Sequence, residues 1–262
     1  MRIVILTGMG RGMASLALPA LRKAGHDVAG VIYSEEQIVD RKKWFRRRLK
    51  KVVRIGLLGA INGIRMRDWF GDAPAALLGI GEIAEVAAAH GVPFETTPAI
   101  NTDRTVELMT RFAPDIALSL GNSYIGKRVF SIPRYGMLNI HHELLPEYRG
   151  AQTLLWELHD GRAMTGYTIH RIDATIDGGA ILLRREVPAD LAPALRDSVI
   201  RTCAKVYAAS IDGLLEVLSD FESFADAGST QGRSGRSFTT PTFGQYLKIA
   251  RNHRRLAAEA RH

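Results

Sequence analysis

The stretch "RIVILTGMGRGMASLALPALRKAGHDVAGVIYS", residues 2–34, decides the fold. "RIVILT" (2–7) is rich in β-branched residues and reads as a buried strand. "GMGRG" (8–12) is a glycine turn, and "MASLALPALRKAG" (13–25) has the pattern of a helix closed by Gly25. "HDVAGVIYS" (26–34) is a second strand. Strand, turn, helix and strand in this order open an α/β fold of the doubly wound kind. The apolar run is too short, and ends too soon in glycine, to be a signal peptide. The turn is not a dinucleotide fingerprint either. The third glycine, Gly12, comes one residue too early for Gly-x-Gly-x-x-Gly, and no acid sits cleanly at the end of the second strand.

The alternation continues. "GEIAEVAAAHGVPFETTPAI" (81–100) reads as a helix, a stop at Gly91 and a strand entering a loop; "DRTVELMTRFAPDIALSLG" (103–121) repeats helix then strand. "GMLNIHH" (136–142) is the next strand, "AQTLLWELHDG" (151–161) the next helix, and "TGYTIHRI" (165–172) and "GAILLRREV" (179–187) are two further strands. "LRDSVIRTCAKVYAASIDGLLEVLSDF" (195–221) is a long amphipathic helix with a break expected near Gly213; 222–240 is expected to be irregular, and 243–260 a last, basic helix. The expected fold is a Rossmann-like, doubly wound, mostly parallel sheet with a helical C-terminal extension. A catalytic domain over 1–190, carrying a basic insertion at 35–78, is followed by the extension over 191–262. The 262 residues are 46% hydrophobic and 24% charged, as in a soluble globular chain. No apolar run is long enough to cross a bilayer, and a cytoplasmic location is the default expectation. The single cysteine, Cys203, forbids an internal disulfide and argues against a cysteine-based metal site, so no metal is expected. A net charge of +8 favours anionic ligands or surfaces.

"NIHHELLPEYRGA" (139–151) concentrates an amide, two histidines, an acid and an arginine where the strand "MLNIH" ends. In open α/β sheets ligands bind outside the carboxyl ends of strands. Asn139 and His141, two apart, point to the same side of a strand. His142 then faces the other way and reads as structural. His170, within an alternating strand, reads as an ordinary strand histidine. Asp173 reads as a turn former, and Glu143 as a solvent-facing acid that could instead contact an acceptor. Arg149 anchors either the loop or an anionic group, and Gly150 meets a backbone requirement.

These residues resemble the N10-formyltetrahydrofolate-dependent formyltransferases, which carry Asn-x-His followed by a Leu-Leu-Pro-x-(Tyr/Trp)-Arg-Gly loop. The resemblance extends through "DGRAMTGYTIHRIDATIDGGAILLRREVP" (160–188), where "DATIDGG" matches the family's aspartate loop, and back through "FAPDIALSLGNSYIGKRVFSIPRYGMLNIH" (112–141). It covers residues 1–33 and 81–188 and is poor elsewhere. It implies a formyl transfer to a primary amine, with Asn139, His141 and Asp177 catalytic. Formyl transfer needs donors for an oxyanion and a route for protons. An amide and an imidazole supply the first, and an imidazole and a carboxylate the second. The resemblance implies that the folate cosubstrate lies on Asn122, Ser123, Tyr124 and Ile125, held by backbone groups, with Asp177 closing the other side. It also implies that the turn at Gly10, Arg11 and Gly12, with Arg149, meets an anionic part of the acceptor through N–H groups at a helix start.

The acceptor is less legible. The residues after 190 read as helical, where methionyl-tRNA members carry a β-barrel, which argues against a nucleic-acid partner. Sugar N-formyltransferases, which act on nucleotide-linked amino sugars, fit better; another small amine or an aminoacyl group is the alternative. The insertion "RKKWFRRRLKKVVR" (41–54) has nine basic residues and no acid, with Trp44, Phe45, Leu49, Val52 and Val53 roughly on one helical face. The ordinary reading is a helix packed on the core with a solvated basic face. A peripheral membrane contact or a phosphate partner is open to such a helix, and a non-catalytic RNA- or membrane-binding relative is the competing reading of the whole chain. "GLLGAINGI" (56–64) is apolar enough to pack against the acceptor pocket or a second subunit, so a homodimer is also open.

Overall fold

The computed structural model describes residues 1–36, 41–150, 152–232 and 236–261. The parts of the insertion at 37–40 and of the irregular segment at 233–235, Ala151 at the start of an expected helix, and the side chains of Arg41 and Lys43 lie outside the described residues. Among the described residues, the strands are β1 (Arg2–Thr7), β2 (Asp27–Ser34), β3 (Phe94–Thr97), β4 (Ile116–Ser119), β5 (Met137–His141), β6 (Tyr148–Arg149), β7 (Met164–Arg171), β8 (Ile181–Pro188) and β9 (Arg236–Ser237). Seven of them form one sheet in the order β3-β2-β1-β4-β5-β7-β8, and the short β6 and β9 pair with each other. Pairing is parallel from β3 to β5, then antiparallel from β5 to β7 and β7 to β8. The helices are α1 (Met13–Lys23), α2 (Arg41–Arg65), α3 (Asp72–Leu77), α4 (Ile83–Ala89), α5 (Asp103–Phe112), α6 (Lys127–Phe130), α7 (Leu155–His159), α8 (Leu195–Ser219), α9 (Phe221–Ala227) and α10 (Phe243–Glu259). This is the doubly wound α/β architecture read from residues 2–34.

The central strand shows why the apolar run forms a two-faced element. Ile3 and Ile5 pack on one side with Leu18 of α1 and Val206 and Leu214 of α8. Val4 and Leu6 pack on the other with Leu108 and Phe112 of α5. A strand covered on both faces needs apolar residues at every position rather than at alternate ones. The helix α5 starts where the Thr102 side chain accepts a bond from the Thr105 N–H, and stops at Ala113 in the left-handed region. Because α8 fills the main core, the C-terminal helical segment shares the sheet's hydrophobic interior.

Three local expectations are corrected. The helix α8 runs unbroken through Gly213. A Cβ there would strike the ring and hydroxyl of the buried Tyr167, so the glycine permits close helix–sheet packing and does not end the helix. The segment after 221 is not wholly irregular: it forms α9, a bridge between Ser229 and Ile181, and β9. The helix expected over 151–161 is confined to Leu155–His159.

The insertion forms α2, interrupted at Gly56, whose φ of 75° is not helical. Ile55, just before this kink, and Asn62 and Met66, beyond it, are buried on the body, and Arg65 donates to Tyr246 of α10. Before the kink, Phe45, Leu49 and Val53 are 62%, 55% and 77% exposed. The expectation that this apolar face packs on the core is therefore overturned. No helix among the described residues is long and apolar enough to cross a membrane.

Candidate active site

The strand order reverses between β1 and β4, so the chain leaves their carboxyl ends in opposite directions and opens a crevice there. A cavity of about 380 Å³ occupies it. Its walls come from Met9, Gly12 and Met13 after β1, Ser119–Ile125 after β4, Asn139–His142 at the end of β5, His170 of β7, and the loop with Asp173 and Asp177. Asn139 and His141, both on β5, and Asp177, from a separate loop, thus face one space, together with Asn122, Ser123, Tyr124 and Ile125.

The antiparallel return of β7 makes Asn139 and His170 direct cross-strand partners. Their side chains meet, with Asn139 Nδ2 and His170 Nε2 3.1 Å apart, while His170 Nδ1 lies 2.9 Å from the Arg171 carbonyl. A carbonyl only accepts, so Nδ1 carries the proton and Nε2 accepts from the Asn139 amide. One Asn139 N–H is thereby fixed on His170, and the second is left for the cavity. Burial lowers the pKa of His170, and the neighbouring His141 adds to this; the Arg171 carbonyl, Asp177 and Asp173 oppose it. His170 is 2% exposed, and its neutral ring serves to aim an amide. The reading of His170 as an ordinary strand histidine is corrected. The two-residue alternation of "TIHR" was the one signal in the sequence, and it does not show that His170 lies opposite Asn139.

His141 Nε2 is 3.1 Å from the Tyr148 carbonyl and so donates to it. Anything His141 does to a substrate it does through Nδ1. The loop that supplies this carbonyl is pinned: Leu145 N–H donates to Thr168 Oγ1 at 3.0 Å, and Thr168 Oγ1 donates to the Glu143 carbonyl at 2.8 Å. The loop contains a cis Leu145–Pro146 peptide.

Asp177 sits at φ 50° in a tight turn in which Thr175 N–H donates to Asp173 Oδ1 at 2.7 Å and Gly178 N–H to the Thr175 carbonyl at 3.1 Å. The turn-former reading of Asp173 holds, and its residue also borders the cavity. A Cβ on Gly179 would strike the Arg171 backbone, so only glycine lets the turn close on β7. The turn is braced from outside: Gln231 Nε2 donates to the Gly179 carbonyl at 2.7 Å, and Arg149 Nη2 donates to Gln231 Oε1 at 2.9 Å and the Gly232 carbonyl at 3.1 Å. Arg149 is therefore a loop anchor and does not border the cavity.

Two further expectations change. His142 borders the cavity instead of facing away. Its ring packs 4.5 Å from that of Tyr207, its Nε2 has no partner, and burial, with His141 adjoining, pushes its pKa down to about 3. Glu143 is 1% exposed, not solvent-facing. Thr165 Oγ1 lies 3.4 Å from Glu143 Oε2 and 3.1 Å from Glu157 Oε1, bridging two buried carboxyls. Burial first, and then the neighbouring Glu157, push the pKa of Glu143 up. At the glycine turn, Gly12 borders the cavity, whereas Gly10 and Arg11 do not. Arg11 Nε pairs with Glu82 Oε1 at 2.9 Å, and the Gly10 carbonyl accepts from Ile83 N–H at 2.7 Å. Among the described residues no group of three or more His, Cys, Asp or Glu is placed to hold a metal ion.

Residues 83–211 match the family described as "Formyl transferase". The chain carries a formyl transferase domain. The match spans Asn139, His141, His170 and Asp177. A methionyl-tRNA formyltransferase of Thermotoga maritima is 36% identical over 109 residues, 41% of this chain and 35% of that protein. The chain spans less than half the length of such curated relatives. Among solved structures, glycinamide ribonucleotide transformylase 1 of Symbiobacterium toebii superposes with a TM-score of 0.57 at 20% identity, covering 85% of this chain and 88% of that one. A sugar 3N-formyl transferase crystallised in the presence of dTDP and 5-N-formyl-THF has a TM-score of 0.53 at 15% identity, covering 97% of this chain and 79% of that one. At these identities the structural likeness of the formyl transferase domain is one of fold.

Proposed function

We propose that the protein transfers a formyl group from N10-formyltetrahydrofolate to a primary amine, with a nucleotide-linked amino sugar as acceptor. The observation that carries the reading is the convergence of Asn139, His141 and Asp177 on one cavity, with the amide already aimed by His170. As the amine attacks the formyl carbon, charge develops on the carbonyl oxygen. Asn139, through its second N–H, and His141, when protonated at Nδ1, are the donors for that oxyanion. Asp177 takes the proton shed by the attacking nitrogen, directly or through a water, and returns it to the folate N10 as the bond between the formyl carbon and N10 breaks, so that tetrahydrofolate leaves.

The cavity suits the folate. Its volume is in the range of small-molecule sites. Asn122 donates from Nδ2 to the Leu6 carbonyl at 2.7 Å and to Ser119 Oγ at 3.1 Å, while its buried Oδ1 has no partner. That leaves a desolvated acceptor for a ring N–H. Tyr124 and Ile176, 50% and 68% exposed, flank the cavity with apolar surface for a ring to cover. The acceptor reaches the site from the glycine turn, where Gly12 precedes α1 and no side chain caps the helix start.

The sugar reading draws support from the fold shared with a sugar 3N-formyl transferase over 97% of this chain and 79% of that one. Similarity to methionyl-tRNA formyltransferases favours a second reading, an aminoacyl-tRNA acceptor. The protein should be incubated with N10-formyltetrahydrofolate and, in separate arms, nucleotide-linked 3- and 4-amino sugars, glycinamide ribonucleotide and methionyl-tRNA, following folate absorbance. Turnover with an amino-sugar nucleotide is expected. Turnover with methionyl-tRNA alone would overturn the acceptor, and no turnover in any arm, with no folate binding, would overturn the reaction.

A further inference from the structure

The first half of α2, up to the kink at Gly56, is amphipathic, with its apolar side turned to solvent. At 100° per residue, Trp44, Phe45, Leu49, Val52 and Val53 fall within one half of the helix circumference. Arg46, Arg47, Lys50, Lys51 and Arg54 fall in the other half, and Arg48, on the apolar side, lies over the Trp44 ring, 4.1 Å from its centroid. Beyond the kink, Leu57, Ile61 and Ile64 are 69%, 55% and 75% exposed, a further apolar surface on the second half of the helix. An exposed apolar stripe of this length on a soluble domain marks a surface that is covered by something.

The charge distribution says by what. Residues 41–65 contain Lys and Arg but no Asp or Glu, so the basic flank has no internal counter-charge within its helix. Like charges crowd there: burial first, and then Arg54 and Arg48, lower the pKa of Lys51. An apolar face with a Trp and a Phe, beside a flank of Lys and Arg, is complementary to the plane where acyl chains meet anionic headgroups. A second copy of the same helix would bring positive flank to positive flank. Nucleic acid would satisfy the charge but leave the apolar stripe in water.

We propose that the first half of α2 is a docking element for the surface of a bilayer containing anionic phospholipid. It lies in the interfacial plane and holds the protein as a peripheral component. No residue of α2 borders the cavity between β1 and β4, so docking leaves that cavity unlined by the membrane-facing helix. The body side of the second half provides the attachment. A Cβ on Gly63 would lie 2.7 Å from Thr240 Cγ2, and one on Gly59 3.3 Å from the Pro241 carbonyl, so the helix meets the chain before α10 at close range.

The test uses the full-length protein and extruded vesicles of phosphatidylcholine alone, or with 30 mol% phosphatidylglycerol. Sedimentation with the anionic vesicles only, weakening as salt rises, is expected. Trp69 and Trp156 are each 5% exposed, so a blue shift of tryptophan fluorescence on vesicle addition reports Trp44, and Trp44→Phe should remove the shift while binding persists. Each Lys or Arg among 46–54 replaced by Ser should weaken partitioning roughly fivefold. The double variant Leu49→Glu/Val53→Glu alters exposed side chains only; it should keep the circular dichroism and melting temperature of the parent and lose vesicle binding. Absence of binding to anionic vesicles at low salt would overturn the proposal. So would equal binding to neutral vesicles, or a stable dimer that Leu49→Glu dissociates. Retention of RNA in place of vesicles would overturn it in favour of a nucleic-acid surface.

Discussion

Replacing His170 tests how the site is organised without touching a reacting group. In His170→Phe the ring volume is kept, but the acceptor for Asn139 Nδ2 and the donor to the Arg171 carbonyl are lost. Leaving those two groups unpaired costs about 1–3 kcal/mol each in a buried setting. Part of that cost is relieved when the Asn139 amide turns to another partner, and turning is what removes its donor from the oxyanion. Loss of a whole oxyanion donor costs about 100- to 1,000-fold in rate, and a misaimed donor retains some of its effect. A fall in kcat of about 10- to 100-fold, about 1.4–2.7 kcal/mol of barrier, is therefore expected, with KM for the folate little changed. The assay is steady-state formyl transfer by parent, His170→Phe, Asn139→Ala and the double variant, each checked for folding by its melting curve. If His170 acts through Asn139, its replacement costs nothing further once the amide is gone. Parent-like kcat in a folded His170→Phe, or losses that multiply in the double variant, would refute the reasoning.

Asn139→Ala itself should lower kcat by about 100- to 1,000-fold with the fold intact, read by the same absorbance assay. Glu143→Gln should remain folded, because burial and the neighbouring Glu157 favour the uncharged carboxyl that the amide replaces. A raised folded-state pKa means that the parent's stability is fully present below 4.5 and is lost as pH rises above it; denaturant melts should show a shallower loss in the variant. For His142 the sign reverses. Its pKa is depressed from 6.5 to about 3, so its contribution is present above pH 6.5 and lost as pH falls toward 3. His142→Phe should flatten the fall in stability across that interval, by at most about 1.4 kcal/mol per pH unit, in acid-denaturation curves.

The parallel half of the fold was readable because β1, β2 and β4 are apolar runs covered on both faces and the helices between strands carry a one-sided pattern. Residues 2–34 carried the opening of the doubly wound topology, and "NIHHELLPEYRGA" marked the strand end that borders the cavity. What could not be read was whatever depended on register between distant strands. His170 looked ordinary until β7 was seen to return antiparallel with Asn139 opposite it. Glu143 looked like a surface acid because local pattern cannot reveal a second carboxyl, Glu157, and a shared hydroxyl, Thr165, waiting inside. Gly213 looked like a break because its reason, the Tyr167 ring, belongs to another element. The exposure of the apolar face of α2 was hidden for a different reason: amphipathicity fixes which residues share a face, not whether anything covers it.

The brace from Arg149 through Gln231 to the Gly179 carbonyl gives the distal chain a part in the chemistry. The family match stops at residue 211, twenty residues short of Gln231. A graft cut at the limit of similarity would carry every reactive group across and leave behind the strut that keeps the carboxylate turn in place. For anyone transplanting this site, the unit to move is longer than the unit that homology recognises.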